Sequence, residues 1–337
     1  MSRHNIKIQF ANNGFSLVEL MISLTIGLVI MAAAMSAYVG SSSASKIAEA
    51  QSRMNEDAQA ALAILSQQVR MAGNNPVQQN RVGHTTANLS SLHNPIYGSS
   101  TYTTSTLSAF SIRACDGNFT NLTTAANIDA LTCTGNTTTL ADSIAVNYEA
   151  DRYNTSPTAA GTPTDCLGNA LPTITANLPV LTSTSPVVTS TAAVTYTVAD
   201  NRYYIGTSTV IVSPSLYCKG NGPLSTAQPL VENIDDLQFS FGTTSSAGTS
   251  TTATIAGYID ASVVSVQTAY APATSMNNPW ERVMAVRICV VVRSESAVAP
   301  TASSAQYLNC AGTLTTPNDQ RLRRAYSTTV VLRNRVL

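Results

Sequence analysis

From Leu20 to Ser45 the chain carries no charged residue, a run long enough to cross a hydrocarbon core of about 30 Å as a helix. A helix that is apolar all round has to be buried in lipid or among other helices, so the remainder of the chain folds as a separate body. Arg3, His4 and Lys7 precede the run, and this basic flank is expected to stay on the cytoplasmic side. Gly27, Ala32, Ala33 and Ala34 permit close approach between helices. One carboxylate, Glu19, stands near the start of the run. An ionised group in that setting costs about 3 kcal/mol unless it is paired, so Glu19 calls for a cationic partner. Its plain alternative is a glutamate at the membrane interface that reaches solvent. Ala32 to Ala34 with Ser36 and Ala37 also suit cleavage of an ordinary secretory signal. Glu19, and a helical pattern that continues past those residues, oppose that reading.

Beyond Lys46 the pattern becomes amphipathic, with Ile47, Met54, Ala58, Leu62, Leu65 and Val69 at helical spacing. Gly73-Asn74-Asn75-Pro76 is a helix stop, because glycine accepts a left-handed cap and proline cannot continue the ladder. One helix from Phe15 to Ala72 would reach roughly 90 Å at the standard rise. After Pro76 helical periodicity fades, and threonine, serine and β-branched residues predict a mainly β head. The predicted strands are 143–148, 193–198, 202–205, 215–219, 234–241, 283–293 and 325–333. In 283–293, Met284, Val286, Ile288, Val290 and Val292 share one face. The polar stretches 101–108, 155–164, 182–191 and 243–254 are predicted surface loops.

The 337 residues include 18 basic and 18 acidic side chains, so no concentrated positive field favours nucleic acid as the main partner. Six cysteines, Cys115, Cys133, Cys166, Cys218, Cys289 and Cys310, all follow the apolar run, none in a CxxC pair. Disulfides outside the cytoplasm are the expectation. Sequence proximity favours Cys115 with Cys133, Cys166 with Cys218 and Cys289 with Cys310.

No catalytic motif is present, and neither an enzyme nor a cofactor is expected. His4, His84 and His93 lack neighbours at metal-ligand spacing. Glu149 with Asp151, Asp116, and Asp235 with Asp236 read as turn and strand-end carboxylates rather than calcium ligands. Arg321, Arg323, Arg324, Arg333 and Arg335 form a basic cluster whose DNA reading is weaker than that of a strand with one solvated side.

The run Gly14-Phe15-Ser16-Leu17-Val18-Glu19-Leu20 resembles the start of type IV prepilins. The resemblance implies cleavage by prepilin peptidase between Gly14 and Phe15, and N-methylation of Phe15. The partner that Glu19 calls for is then the Phe15 ammonium of the next subunit, reached only in axial register. Blocks in the second half, among them Gln228-Pro229-Leu230-Val231-Glu232-Asn233-Ile234-Asp235-Asp236-Leu237, Trp280-Glu281-Arg282-Val283-Met284 and Arg324-Ala325-Tyr326-Ser327-Thr328, resemble the PilW family of minor pilins. Residues 77–140 and 154–192 carry no such likeness.

The implied fold is α+β and type IV pilin-like, a long N-terminal helix packed on a large antiparallel β-rich head with disulfides. The implied organisation is a leader over 1–14, a membrane and pilus-core helix over 15–40, its amphipathic continuation over 41–75 and a head over 76–337. The resemblance also implies insertion in the bacterial inner membrane with the head in the periplasm, then entry into the pilus. Implied partners are other minor pilins, the major pilin, prepilin peptidase, the assembly platform and a large tip adhesin. The implied role is priming assembly near the tip, in support of adhesion, twitching motility or DNA uptake. A pseudopilin of type II secretion and a secreted binding protein are the alternatives.

Overall fold

The computed structural model describes residues 14, 16–74, 111–135, 140–184, 187–223, 226–244, 255–266, 279–332 and 334. The chain divides into two compact units, one ending at Glu49 and one covering Ala50–Leu337. Helix α1, Leu17–Met71, begins in the first and ends in the second. In the first unit its large apolar side chains from Leu17 to Val39 are exposed.

In the second unit α1 buries Met54, Ala58, Ala61, Leu65 and Val69, a stripe at spacings of three and four residues. These join one continuous core with Ile144, Val146, Phe239, Val286 and Ile288. The helix stops where the sequence places the stop: Gly73 has φ +76°, and its N–H donates to the Asn147 carbonyl at 3.0 Å.

The head contains strands β1 (Ile112–Cys115), β2 (Ser143–Glu149), β3 (Thr173–Thr184), β4 (Val187–Gly206), β5 (Ser215–Lys219), β6 (Gln228–Glu232), β7 (Ile234–Thr244) and β8 (Ile255–Ile259). The short helix α2 (Ala261–Val266) follows, then β9 (Val283–Arg293), β10 (Tyr307–Leu308), β11 (Leu314–Thr315) and β12 (Arg323–Val331). The first sheet runs β1-β2-β4-β5-β6, with β3 paired to β4, and the second runs β12-β9-β7-β8. A small β10-β11 pair completes the set, and every pairing is antiparallel. Strand β9 is buried on both faces except at Arg287 and Arg293, as expected of a central strand covered on both sides.

Two features differ from the sequence expectation. The segments 193–198 and 202–205 are one strand, β4, not two. Asp200 and Asn201, turn formers by composition, are instead buried partners: Arg202 donates to Asp200 at 2.8 Å, and Asn201 donates to Gln68 at 2.9 Å. The expected loop over 182–191 lies mostly within the β3–β4 hairpin, where threonine and valine suit extended backbone. Stretch 101–108 and most of 243–254 lie outside the described residues.

Asn233, φ +62°, is the single residue between β6 in one sheet and β7 in the other. Asparagine tolerates that left-handed conformation, and its carbonyl accepts from Arg293 N–H at 2.9 Å. The sheets are also clasped by Asp142, which donates its N–H to the Leu237 carbonyl at 2.7 Å and accepts from Phe239 N–H at 2.8 Å. Three disulfides, Cys115–Cys133, Cys166–Cys218 and Cys289–Cys310, join the six cysteines in consecutive pairs along the sequence, the pairing expected.

Candidate functional site

The start of α1 is built by two side chains. Ser16 Oγ accepts from Glu19 N–H at 3.1 Å, and Glu19 Oε2 accepts from Ser16 N–H at 3.4 Å. This reciprocal pair is a capping box, and it satisfies two donors that the first helical turn leaves open. The spacing Ser16-x-x-Glu19 carries the signal in the sequence, and it adds Ser16 to the residues expected from the sequence. An ionised carboxylate has sites for several donors, so capping leaves Glu19 able to meet an ammonium as well. Glu19 is exposed, as is Gly14, and Phe15 lies outside the described residues. A Cβ at Gly14 would meet nothing within 4 Å, so the chain's own packing makes no demand for glycine there.

In the apolar half of α1 three hydroxyls are satisfied by the helix's own backbone. Ser23 donates to the Leu20 carbonyl at 3.0 Å, Thr25 to Ile22 at 2.8 Å and Ser36 to Ala33 at 2.8 Å. Hydroxyls satisfied in this way leave little polarity for a lipid or helical neighbour to meet. By length and composition α1 is the one helix among the described residues able to cross a membrane.

The head's charged side chains hold loops and strands. Asp116 accepts from Ala261 and Ser262 N–H at 2.9 and 3.0 Å, which caps α2. Asp151 accepts from Tyr153 and Asn154 N–H at 2.6 and 2.8 Å in a turn. Glu149 is buried. Asp235 pairs with Arg323 at 2.6 Å and Arg293 at 3.6 Å, while Asp236 accepts from Gln238 at 3.0 Å. Arg323 also grips Asp319 at 2.6 and 2.8 Å, which holds that carboxyl down at about 2. Burial pushes the Asp142 carboxyl up to about 8, outweighing the N–H donors of Phe239 and Gly117, and the charge of Asp116 adds to the rise.

No cluster of three metal-ligating side chains occurs among the described residues, and the three histidines, Arg333 and Arg335 lie outside them. The remaining members of the basic cluster are divided. Arg321 and Arg323 are tied to Asp319, whereas Arg324 is exposed over the Tyr326 ring.

The type IV pilus-assembly protein W family matches residues 202–334. The prokaryotic N-terminal methylation motif matches residues 10–35, which includes the Ser16–Glu19 box. Comparison with curated sequences finds no match. Among solved structures, a type IV-like pilin from Thermus thermophilus is 13% identical, covers 58% of this chain and 81% of its own, and has a TM-score of 0.23. The chain is thus similar to type IV prepilins over its N-terminal motif, residues 10–35, and to the pilus-assembly protein W family over residues 202–334.

Proposed function

We propose that this chain is a minor pilin, inserted in the inner membrane through α1 with its head in the periplasm, which primes type IV pilus assembly with other minor pilins and stays near the tip. The observation that carries the proposal is the exposed apolar face of α1 with one carboxylate, Glu19, at its capped start. An apolar surface of this kind, from Leu17 to Val39, calls for lipid or neighbouring helices, and Glu19 is the one charge to place in register. Cleavage after Gly14 would create an ammonium at Phe15, and Glu19 of an adjacent subunit would neutralise it where water is excluded. The buried pair would specify axial register more than stability. The match to the pilus-assembly family over 202–334 favours the pilus over a secretion pseudopilus.

Mass spectrometry of the mature N-terminus, on protein from membranes and sheared pili, is the test. A methylated Phe15 in the pilus fraction is expected, and Gly14→Glu should leave uncleaved precursor in the membrane. A mature start near Ser36 to Val39 would overturn the proposal, because the apolar helix would then be a discarded signal.

A further inference from the structure

The outer strands of the two larger sheets are β1, β3, β6, β8 and β12. Four of them are short or interrupted. Strand β1 has four residues and β8 five. Pro229 lies in β6, and β3 has both Pro179 and a register shift between Leu181 and Ser183. These are ways in which sheet edges are blunted against further pairing. Strand β12 has nine residues, an unbroken register with β9 and no proline, and Ala325–Val331 has no charged side chain.

The open groups of that edge follow from the register. Ser294 N–H donates to the Leu322 carbonyl at 2.8 Å, and Leu332 N–H donates to Met284 at 2.9 Å. Antiparallel alternation then turns Arg324, Tyr326, Thr328 and Val330 toward β9, and leaves the N–H and C=O of Ala325, Ser327, Thr329 and Val331 on the open side. Among the described residues no backbone group bonds to them.

Grooves flank the edge on both faces. One, of about 640 Å³, is lined by Tyr307, Leu308 and Ser327 with Arg287, Arg323 and Arg324. Its hairpin wall is tethered to β9 by Cys289–Cys310. The other, of about 760 Å³, is lined by Leu62, Ala63, Met71, Arg70, Ser327 and Thr328. No carboxylate lines either groove. Arg70, Arg287 and Arg324 are exposed and form no ion pair among the described residues.

We propose that the free edge of β12 accepts an extended, acidic segment of a partner protein as an added strand, with alternate side chains entering the two grooves. Strand addition gains affinity from main-chain hydrogen bonds and specificity from such alternate pockets. Excess arginine on both sides selects for carboxylates. The proposal goes beyond the pilin reading and uses neither Glu19 nor the apolar run from Leu17 to Val39, so each can fail without the other.

The test uses the full chain in detergent micelles and two fluorescein-labelled peptides. Both alternate threonine and valine; one carries two aspartates, the other two lysines at the same positions. Anisotropy should show the aspartate peptide binding about tenfold more tightly, the scale of one charge-assisted hydrogen bond. Arg287→Gln with Arg324→Gln should remove that preference. Thr329→Pro deletes an open N–H without touching the β9 ladder, and should weaken binding about tenfold with an unchanged melting temperature. Hydrogen exchange gives a reading without any variant: the amides of Ala325, Ser327 and Thr329 should exchange fast in the free chain and slow with the aspartate peptide. Slow exchange of these amides without peptide, equal binding of both peptides, or no binding of the aspartate peptide would overturn the proposal. A dimer in sedimentation that Thr329→Pro abolishes would overturn it too, since the occupant would then be a second copy.

Discussion

Asp142 shows how one side chain couples the two sheets of the head to pH. Its carboxyl lies against β7 and the loop after β1, and burial raises it from 3.8 to about 8. Between those values the unfolded chain is ionised at this position and the folded chain is protonated. Stability should therefore fall as pH rises from about 4 to about 8, and change no further from this source above that. Asp319 acts with the opposite sign, because Arg323 holds it at about 2: its contribution is present above 3.8 and is lost as pH falls through about 2. Asp142→Asn, which cannot titrate, should flatten the fall of melting temperature between pH 4 and pH 8, whatever it loses as an acceptor for Gly117 or Phe239 N–H. Equal slopes of melting temperature against pH for the two proteins would assign the titration to another group. None of this was legible in the sequence, where Asp142 is one carboxylate among many; only the fold brings Phe239 and Gly117 to it.

Helix α1 separates two roles that one residue carries. Glu19 caps its own helix through Ser16, and its charge is the feature that assembly would use. Glutamine also closes a capping box, so Glu19→Gln should keep the helix start while losing the charge. Quantitative immunoblots of sheared pili should then show Glu19→Gln depleted as much as Glu19→Ala. Incorporation at parental levels would mean that capping, not pairing, is what Glu19 supplies. Ser16→Ala, by contrast, should loosen only the first turn, by about 1 kcal/mol, seen as faster exchange of the Glu19 amide. At this scale the sequence was informative where periodicity was strong. The stripe from Met54 to Val69 and the stop at Gly73 follow from spacing and from glycine's left-handed freedom. Strand β9 follows from the alternation that places Met284, Val286, Ile288, Val290 and Val292 on one face. Strand β3 did not, because its threonines and serines resemble loop composition until β4 is placed beside them. The capping box is legible in the spacing of Ser16 and Glu19.

Over the whole molecule, covalent links and the core divide the work of holding the fold. The disulfides close sequence separations of 18, 52 and 21 residues. In the chain-entropy account the shortest is worth about 3 kcal/mol through the unfolded state. Replacing Cys115 and Cys133 together by serine should lower the denaturation free energy by about that amount, measured by urea titration, and an unchanged midpoint would show that the loop is already ordered without its bond. Every disulfide lies within the head, and α1 has no cysteine. The helix is therefore held to the sheets by the side chains from Met54 to Val69 and by bonds such as Asn201 to Gln68. Under tension between the helix and the head, that non-covalent seam is what shears. The three closed loops cannot lengthen past their sulfurs, so the extension released by a pull comes from chain outside them.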